Sequence, residues 1–373
     1  MGLTTLSRIL FFTSSHKMGL TGQATEQAIA FSCLNQGVFL FLSGENEQFP
    51  GLFKKLESYK VPFDTIHGLD EHKNFFRLVR AFYRLVKQFR PDFVTVQTNW
   101  QLAIAVLARF QHVENYAIVY IINGYRHNYR FRSVIARLLI GLALFFFSDY
   151  VVAPSGFLKK KFSFLRSKLK TIFIGEGDAL FKEHPLPLFK EDIHIIFGGM
   201  FRTGKNQDML IRLIRKYIDK SGNDKIRLYL PGDGPLLDNC KDLVDNLGLV
   251  ENVIFPGLIH RDKMLDLYLD CQYAIAPTNV ETFGHCIVEP FVLGRVLFTR
   301  HIGVADDIIQ HGKSGFFFEG EDDLLDLLIK VSSDHHLCRQ IAENARRAGT
   351  VFKWENICKQ YHIMIYDALA PSS

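Results

Sequence analysis

Two glutamates eight positions apart, Glu281 and Glu289, are the side chains whose spacing most directly suggests chemistry in this sequence. They lie in Pro277-Thr-Asn-Val-Glu281-Thr-Phe-Gly284-His-Cys-Ile-Val-Glu289-Pro-Phe-Val-Leu-Gly294. Tyr273 to Ala276, an apolar run stopped by a proline, reads as a buried strand, and Val296 to Thr299 reads as another. Between them, Phe283 to Leu293 has helical spacing, opened by Gly284 and closed by Gly294. Glu281 then belongs to the loop entering the helix, and Glu289 to the helix itself. At ~1.5 Å of rise per residue their separation is roughly 12 Å. The amides of Phe283 and Gly284 lie beside the first carboxylate, at a helix end that favours anions. An extended polyol–diphosphate–ribose molecule could be gripped at both ends by such a pair. Glu281 alone could instead cap the helix. Glu289 resists that reading, because a charge followed by Pro290 inside an apolar helix is costly without a partner.

A strand–loop–helix–strand unit of this kind belongs to an α/β sheet, which binds ligands at the carboxyl ends of its strands. Upstream stand Gly198-Gly199-Met200-Phe-Arg202-Thr-Gly-Lys205-Asn-Gln, Leu230-Pro-Gly232-Asp-Gly234-Pro and Val253-Ile-Phe-Pro-Gly257. Downstream stand Ile302-Gly303-Val-Ala-Asp306-Asp307-Ile and His311-Gly312-Lys-Ser-Gly315-Phe. In order and spacing, from about Ile193 to Phe318, the set resembles the retaining GT-B glycosyltransferases of family 4, the group 1 glycosyltransferases. Their signature is Glu, seven residues, Glu, with Phe-Gly after the first.

The resemblance implies an α/β protein of two Rossmann-like doubly wound domains facing across a cleft. It implies transfer of a sugar from a nucleotide donor to an acceptor hydroxyl, with retention at the anomeric carbon. It assigns Glu289 to the nucleotide ribose and Glu281 to donor-sugar hydroxyls, with Phe283, Gly284 and Gly232 on the donor side. Lys205, helped by Arg202, would stabilise charge growing on the leaving diphosphate, the electrostatic contribution that usually dominates such catalysis. The family's usual Arg, five residues before that Lys, is Met200 here. No Asp-x-Asp metal motif is present, so no metal and no cofactor beyond the nucleotide-sugar co-substrate are expected.

The elements that must position these residues are legible along the chain. Strands alternate with helices from Ile193 onward, including a strand from Ile226 to Leu230 and a helix from Gln207 to Asp219, which means a parallel sheet. In the first half, Ile9 to Thr13 reads as a strand and Ala24 to Leu34 as a helix. Gly19-Leu-Thr-Gly22 between them reads as a loop, either a close approach to the donor or an ordinary turn. Strands follow at Gly37 to Leu42, Phe93 to Val96 and Ile118 to Ile122. The last ends at Asn123, where the resembled family commonly has a His near the reacting sugar; Arg126 and His127 follow on the acceptor side. Domains are expected over 1–185 (acceptor side) and 186–355 (nucleotide-sugar side), with a terminal helix at about 356–373 packing back on the first.

Composition narrows the function classes. A chain of 373 residues, 48% hydrophobic, can bury two cores. Its six cysteines have no metal-ligand or CxxC spacing, which points to reduced thiols and a cytoplasmic chain. Leu138 to Phe147 is too short to span a membrane. The start lacks a signal-type pattern, and Met1-Gly2 is not a myristoylation signal because position 6 is Leu.

Net charge is +5, but residues 1–185 carry 23 Lys and Arg against 13 Asp and Glu, whereas the remainder carries 21 against 26. Lys73, Arg77, Arg80, Arg84 and Lys87 fall on one stripe of a helix from Glu71 to Phe89. Lys159-Lys-Lys161, Arg166, Lys168 and Lys170 form a second cluster. These are either solvated faces or attraction to an anionic membrane surface; no nucleic-acid motif accompanies them.

The expected activity is therefore metal-independent retaining hexosyl transfer, with a lipid-linked oligosaccharide of bacterial surface polysaccharide (lipopolysaccharide, O-antigen or capsule) as acceptor. The expected location is the cytoplasm, with peripheral attachment at the inner face of the plasma membrane. A nucleotide-sugar epimerase of the same fold is one rival. A catalytically weak, donor-binding partner subunit, suggested by Asn123 and Met200, is the other.

Overall fold

In a computed structural model, residues 8–14, 18–33, 37–43, 50–66, 74–110, 116–122 and 141–369 are described. The chain divides into two units, Met1–Gly175 with Trp354–Ser373, and Glu176–Lys353. The first boundary thus falls at 175/176, ten residues ahead of the expected 185/186. Its physical marker is a parallel bridge between Glu176 and Lys353, so the segments by which the chain enters and leaves the second unit pair side by side.

The first unit is built on β1 (Arg8–Ser14), α1 (Met18–Cys33), β2 (Gly37–Ser43), α2 (Pro50–Ser58), β3 (Phe63–Ile66), α3 (Phe75–Phe89), β4 (Phe93–Val96), α4 (Asn99–Phe110), β5 (Ala117–Ile121), α5 (141–147), β6 (Tyr150–Ala153), α6 (Gly156–Lys161) and β7 (Leu169–Thr171). Its seven strands run in the order β3-β2-β1-β4-β5-β6-β7, all parallel. Side chains alternate across a strand, and here both faces are covered. Leu10 and Phe12 join a core with Phe82 of α3, Ala105 of α4, Leu144 of α5 and Leu158 of α6. Ile9 and Phe11 join the opposite core with Ala28 of α1 and with Ile357 and Tyr361 of the terminal helix, Trp354–Leu369. That helix starts two residues before the expected 356.

One expectation is corrected here. Helix α1 starts at Met18, so Gly19 and Gly22 lie inside its first turns and not in an open loop. A glycine costs a helix about 1 kcal/mol. The run from Gln23 to Ala30 and the burial of Ala24 and Ala28 outweigh that cost.

Helix α3 carries its cations as the spacing predicts. Arg77, Arg80, Arg84 and Lys87 are exposed, while Leu78, Val79, Phe82, Leu85 and Val86 are buried. Glu71 and Lys73 lie outside the described residues, and the helix begins at Phe75.

The second unit comprises β8 (Ile193–Ile196), α7 (Gln207–Ser221), β9 (Ile226–Tyr229), α8 (Leu237–Asn246), β10 (Val253–Ile254), α9 (Arg261–Asp270), β11 (Tyr273–Ala276), α10 (His285–Val292), β12 (Val296–Thr299), α11 (Ala305–Ile308), β13 (Phe316–Phe317), α12 (Glu321–Ser332) and α13 (His335–Ala348). Its six parallel strands run β10-β9-β8-β11-β12-β13. The chain enters at β8, winds outward to β10, then returns to β11 on the other side of β8. That reversal is the topological switch where open α/β sheets take their ligands.

A buried arginine fastens the frame behind the switch. Arg295 is fully buried and donates to the carbonyls of Leu293 (2.9 Å), Leu269 (3.1 Å), Cys271 (3.1 Å) and Pro185 (3.1 Å). Burial, with Arg346 nearby, lowers its pKa to about 10.

Candidate functional site at the β8/β11 switch

Two loops leave the switch: one after β8 leading to Lys205 and one after β11 leading to Glu281. They are stitched to each other. The Asn206 amide donates to Pro277 O at 2.7 Å, the Asn279 N–H to Gly204 O at 2.8 Å, and the Thr278 hydroxyl to Gly204 O at 3.1 Å. So bound, the loops bring Lys205 Nζ and the Glu281 carboxylate into an ion pair, with only 11% and 15% of the two side chains exposed. The Phe197 ring lies 6.0 Å from the ammonium. In so dry a setting, removing either partner leaves a charge that is expensive to keep.

The loop after β11 turns into α10 through Gly284, whose φ of 99° is one that side-chain-bearing residues rarely adopt. Gly303 presses on the same turn; a Cβ there would meet Phe283 O at 2.4 Å. Phe283 is buried, and its ring packs against His285 and Phe352 at 5.4 and 5.8 Å. Cys286 Sγ lies 3.9 Å from Glu281 Oε1, and burial together with Glu281 pushes its thiol up to about 12.

One turn further along, Glu289 shares a helix face with His285, four residues before it. The Tyr268 hydroxyl is bonded to Glu289, and burial plus that carboxylate drive its pKa well up. His285 Nδ1 lies 2.7 Å from an oxygen of Glu176, a carboxylate with no solvent exposure at all. Donor atoms of Glu176, His285 and Glu289 lie within 4.8 Å of one another, a spacing compatible with a metal ion as well as with hydrogen bonds.

Of the residues singled out by sequence, Lys205, Glu281, Phe283, Gly284 and Glu289 converge at this end of the sheet. Arg202 is exposed on the Lys205 loop, and its carbonyl accepts the Lys205 N–H at 3.1 Å. Met200 is exposed, its carbonyl held by the Gln207 amide at 3.2 Å. Gly232 follows β9 and packs on the loop from below: a Cβ there would stand 2.1 Å from Gly199 O. Gly19 and Gly22 belong to the first unit's α1. Asn123, Arg126 and His127 lie outside the described residues. Sequence reasoning passed over two side chains. His285 carried a signal, its four-residue offset from Glu289, whereas Glu176, in the stretch Gly175-Glu-Gly-Asp178 that stands where the resembled family often has Asn-Gly-Val-Asp, carried no sign of a partner 109 positions away.

Residues 178–348 match the family model of glycosyl transferases group 1. The match spans nearly the whole of the second unit. The chain is similar to N-acetyl-alpha-D-glucosaminyl L-malate synthase of Bacillus anthracis, 30% identical over 180 residues, covering 48% of this chain and 45% of that protein. An uncharacterized glycosyltransferase of Methanocaldococcus jannaschii is 26% identical over 169 residues, 44% of this chain and 43% of its own length. The chain thus spans under half the length of these two relatives. Alpha-monoglucosyldiacylglycerol synthase of Streptococcus pneumoniae aligns more fully, at 21% identity over 97% of this chain and 86% of that protein. Among solved structures, Anabaena Alr3699/HepE in complex with UDP superposes with a TM-score of 0.77 at 19% identity, covering 96% of this chain and all of that one. The fold is that of the GT-B glycosyltransferases, with the group 1 match falling in its second Rossmann-like unit.

Proposed function

We propose that the chain is a retaining, metal-independent glycosyltransferase that takes its donor, a nucleotide sugar, at the β8/β11 switch. The observation that carries the reading is the Lys205–Glu281 ion pair, set at the start of α10 with Glu289 one turn into the helix. Lys205 meets charge developing on the leaving diphosphate, Glu281 takes donor-sugar hydroxyls, and Glu289 takes the nucleotide ribose. Support for the ligand comes from HepE, which is solved with UDP and with UDP-glucose.

The same reading assigns the acceptor to the first unit and makes it a lipid-linked glycan of surface polysaccharide assembly, reached at the inner leaflet of the plasma membrane. One face of that unit supports this. Phe76, Trp100, Phe110, Phe145, Phe146 and Phe164 are exposed, as are the cations of α3 and α6 and Arg166. The helices that carry them pack against one core, on one side of the sheet. Lys168 donates to Ser148 O at 2.9 Å and lies 5.3 Å from the Phe145 ring, so cation and aromatic are interleaved. No helix among the described residues is long and apolar enough to cross a membrane.

The test separates the two carboxylates. A hydrogen bond to a charged group is worth about 1.5–3 kcal/mol, roughly 10- to 100-fold in affinity. Glu289→Ala weakens nucleoside diphosphate binding by that factor in calorimetry, while Glu281→Ala chiefly lowers turnover. Unchanged affinity in a folded Glu289→Ala protein contradicts the ribose assignment.

A further inference from the structure

The Glu176–His285 pair has no part in the reading above, although it touches the same helix face as Glu289. Glu176 has no solvent exposure, its N–H is bound to Phe352 O at 2.9 Å, and its backbone bridges Lys353, so its position is fixed by the frame of the second unit. The His285 side chain is 53% exposed, yet its Nδ1 is tied to that fixed carboxylate and its ring is braced edge-on against Phe283. Glu289 is reached from both directions, by Tyr268 through a hydrogen bond and by the His285–Glu176 pair within 4.8 Å. Two carboxylates that close repel each other in a medium of low dielectric, and an imidazole held beside both relieves the repulsion.

We propose that His285, anchored by Glu176, is a positioning residue that orients the Glu289 carboxylate for the nucleotide ribose and thereby sets donor affinity. The proposal rests on Glu289 being the ribose ligand. His285 is suited to the task by its place in the helix. A residue four positions before Glu289 lies directly over it on the α10 surface. Being at the first position of α10, it also meets the fixed segment at Glu176. A buried carboxylate at the far end of a hydrogen-bonded imidazole fixes the orientation of the ring, as in metal and catalytic sites where an outer group aims an inner one.

The experiment is calorimetry of the full-length protein with UDP, GDP and ADP in the presence of excess EDTA, followed by a double-variant cycle on the tightest of the three. Because the His285 side chain is half exposed, His285→Ala is expected to keep the native melting temperature. It should raise the nucleotide Kd about tenfold, with kcat at saturating donor changed by less than about threefold. His285→Asn, whose amide can stand in for the Nδ1 donor, should recover most of that loss. Glu289→Ala and the pair His285→Ala/Glu289→Ala should bind equally weakly, because His285 acts through Glu289.

Additive losses, an unchanged Kd in His285→Ala, or His285→Asn no better than His285→Ala would overturn the proposal while leaving the ribose reading intact. If Glu289→Ala binds as tightly as the wild type, the ribose reading fails and takes this one with it. Loss of wild-type affinity in EDTA would mean that a metal ion, and not the imidazole, holds the carboxylates.

Discussion

Lys205 and Glu281 neutralise each other before any substrate arrives, so the site holds its charges in place with little reorganisation left to do. The same environment governs Cys286. With its thiol pushed up to about 12 by burial first and Glu281 second, only about one molecule in ten thousand carries a thiolate at pH 8. Alkylation of the native protein at that pH, read by peptide mass spectrometry, should therefore modify the exposed Cys33 and leave Cys286 untouched. Glu281→Gln should not free it, since burial is the larger cause. Rapid labelling of Cys286 would mean that the first turn of α10 opens. At this scale the sequence was informative where partners lie close along the chain. Glu281, Glu289 and Lys205 stood out by spacing against helix starts and glycines. Glu176's partnership did not, because nothing local to residue 176 reveals that the first residue of α10, 109 positions later, returns to it.

Elements were legible in proportion to their burial. β11 and β12 are buried on both faces and are written as continuous apolar runs, so their limits could be read from sequence. β3, Phe-Asp-Thr-Ile, and β7, Leu-Lys-Thr, are short and carry polar residues, and they escaped notice. The start of α1 was misplaced because glycine usually punctuates a chain, whereas here tertiary packing carries the helix through Gly19 and Gly22. Arg295 tests how the frame behind the switch is held. Arg295→Leu takes the guanidinium donors from Leu269 O and Cys271 O, while Leu293 O and Pro185 O keep Arg346, and each buried group left without a partner costs about 1–3 kcal/mol. Unfolding in urea should show a loss of at least about 2 kcal/mol for the transition of the second unit. A loss below about 1 kcal/mol would mean that the leucine repacks the site, as can happen when buried charge is replaced by an apolar side chain.

Over the whole molecule, charge is divided much as function is proposed to be: residues 1–185 are basic and the remainder is acidic. Each cation near an anionic leaflet is worth about 1 kcal/mol, so a few from α3 and α6 would hold the protein reversibly at a membrane. Flotation should recover the protein with anionic vesicles at low salt, and not with neutral ones. Recovery should fall in high salt and when Arg77, Arg80 and Arg84 are changed to Ser. Equal recovery on neutral and anionic vesicles, or none on either, favours an acceptor free in solution. The doubly wound architecture was visible from the alternation of strands and helices, and Gly175-Glu-Gly-Asp178 marked the neighbourhood of the boundary, but the pairing of Glu176 with Lys353 that fixes it was not visible, because it depends on contacts between distant segments. The most direct measurement of the central claim is release of nucleoside diphosphate from a panel of UDP-, GDP- and ADP-sugars by the wild type and by Lys205→Ala. Removing one preorganised charge from a leaving group costs about 3–4 kcal/mol. The account predicts that at least one donor is consumed and that Lys205→Ala is slower by at least about 100-fold. Equal rates in the two proteins, or no release from any donor with or without glycan acceptors, would contradict it.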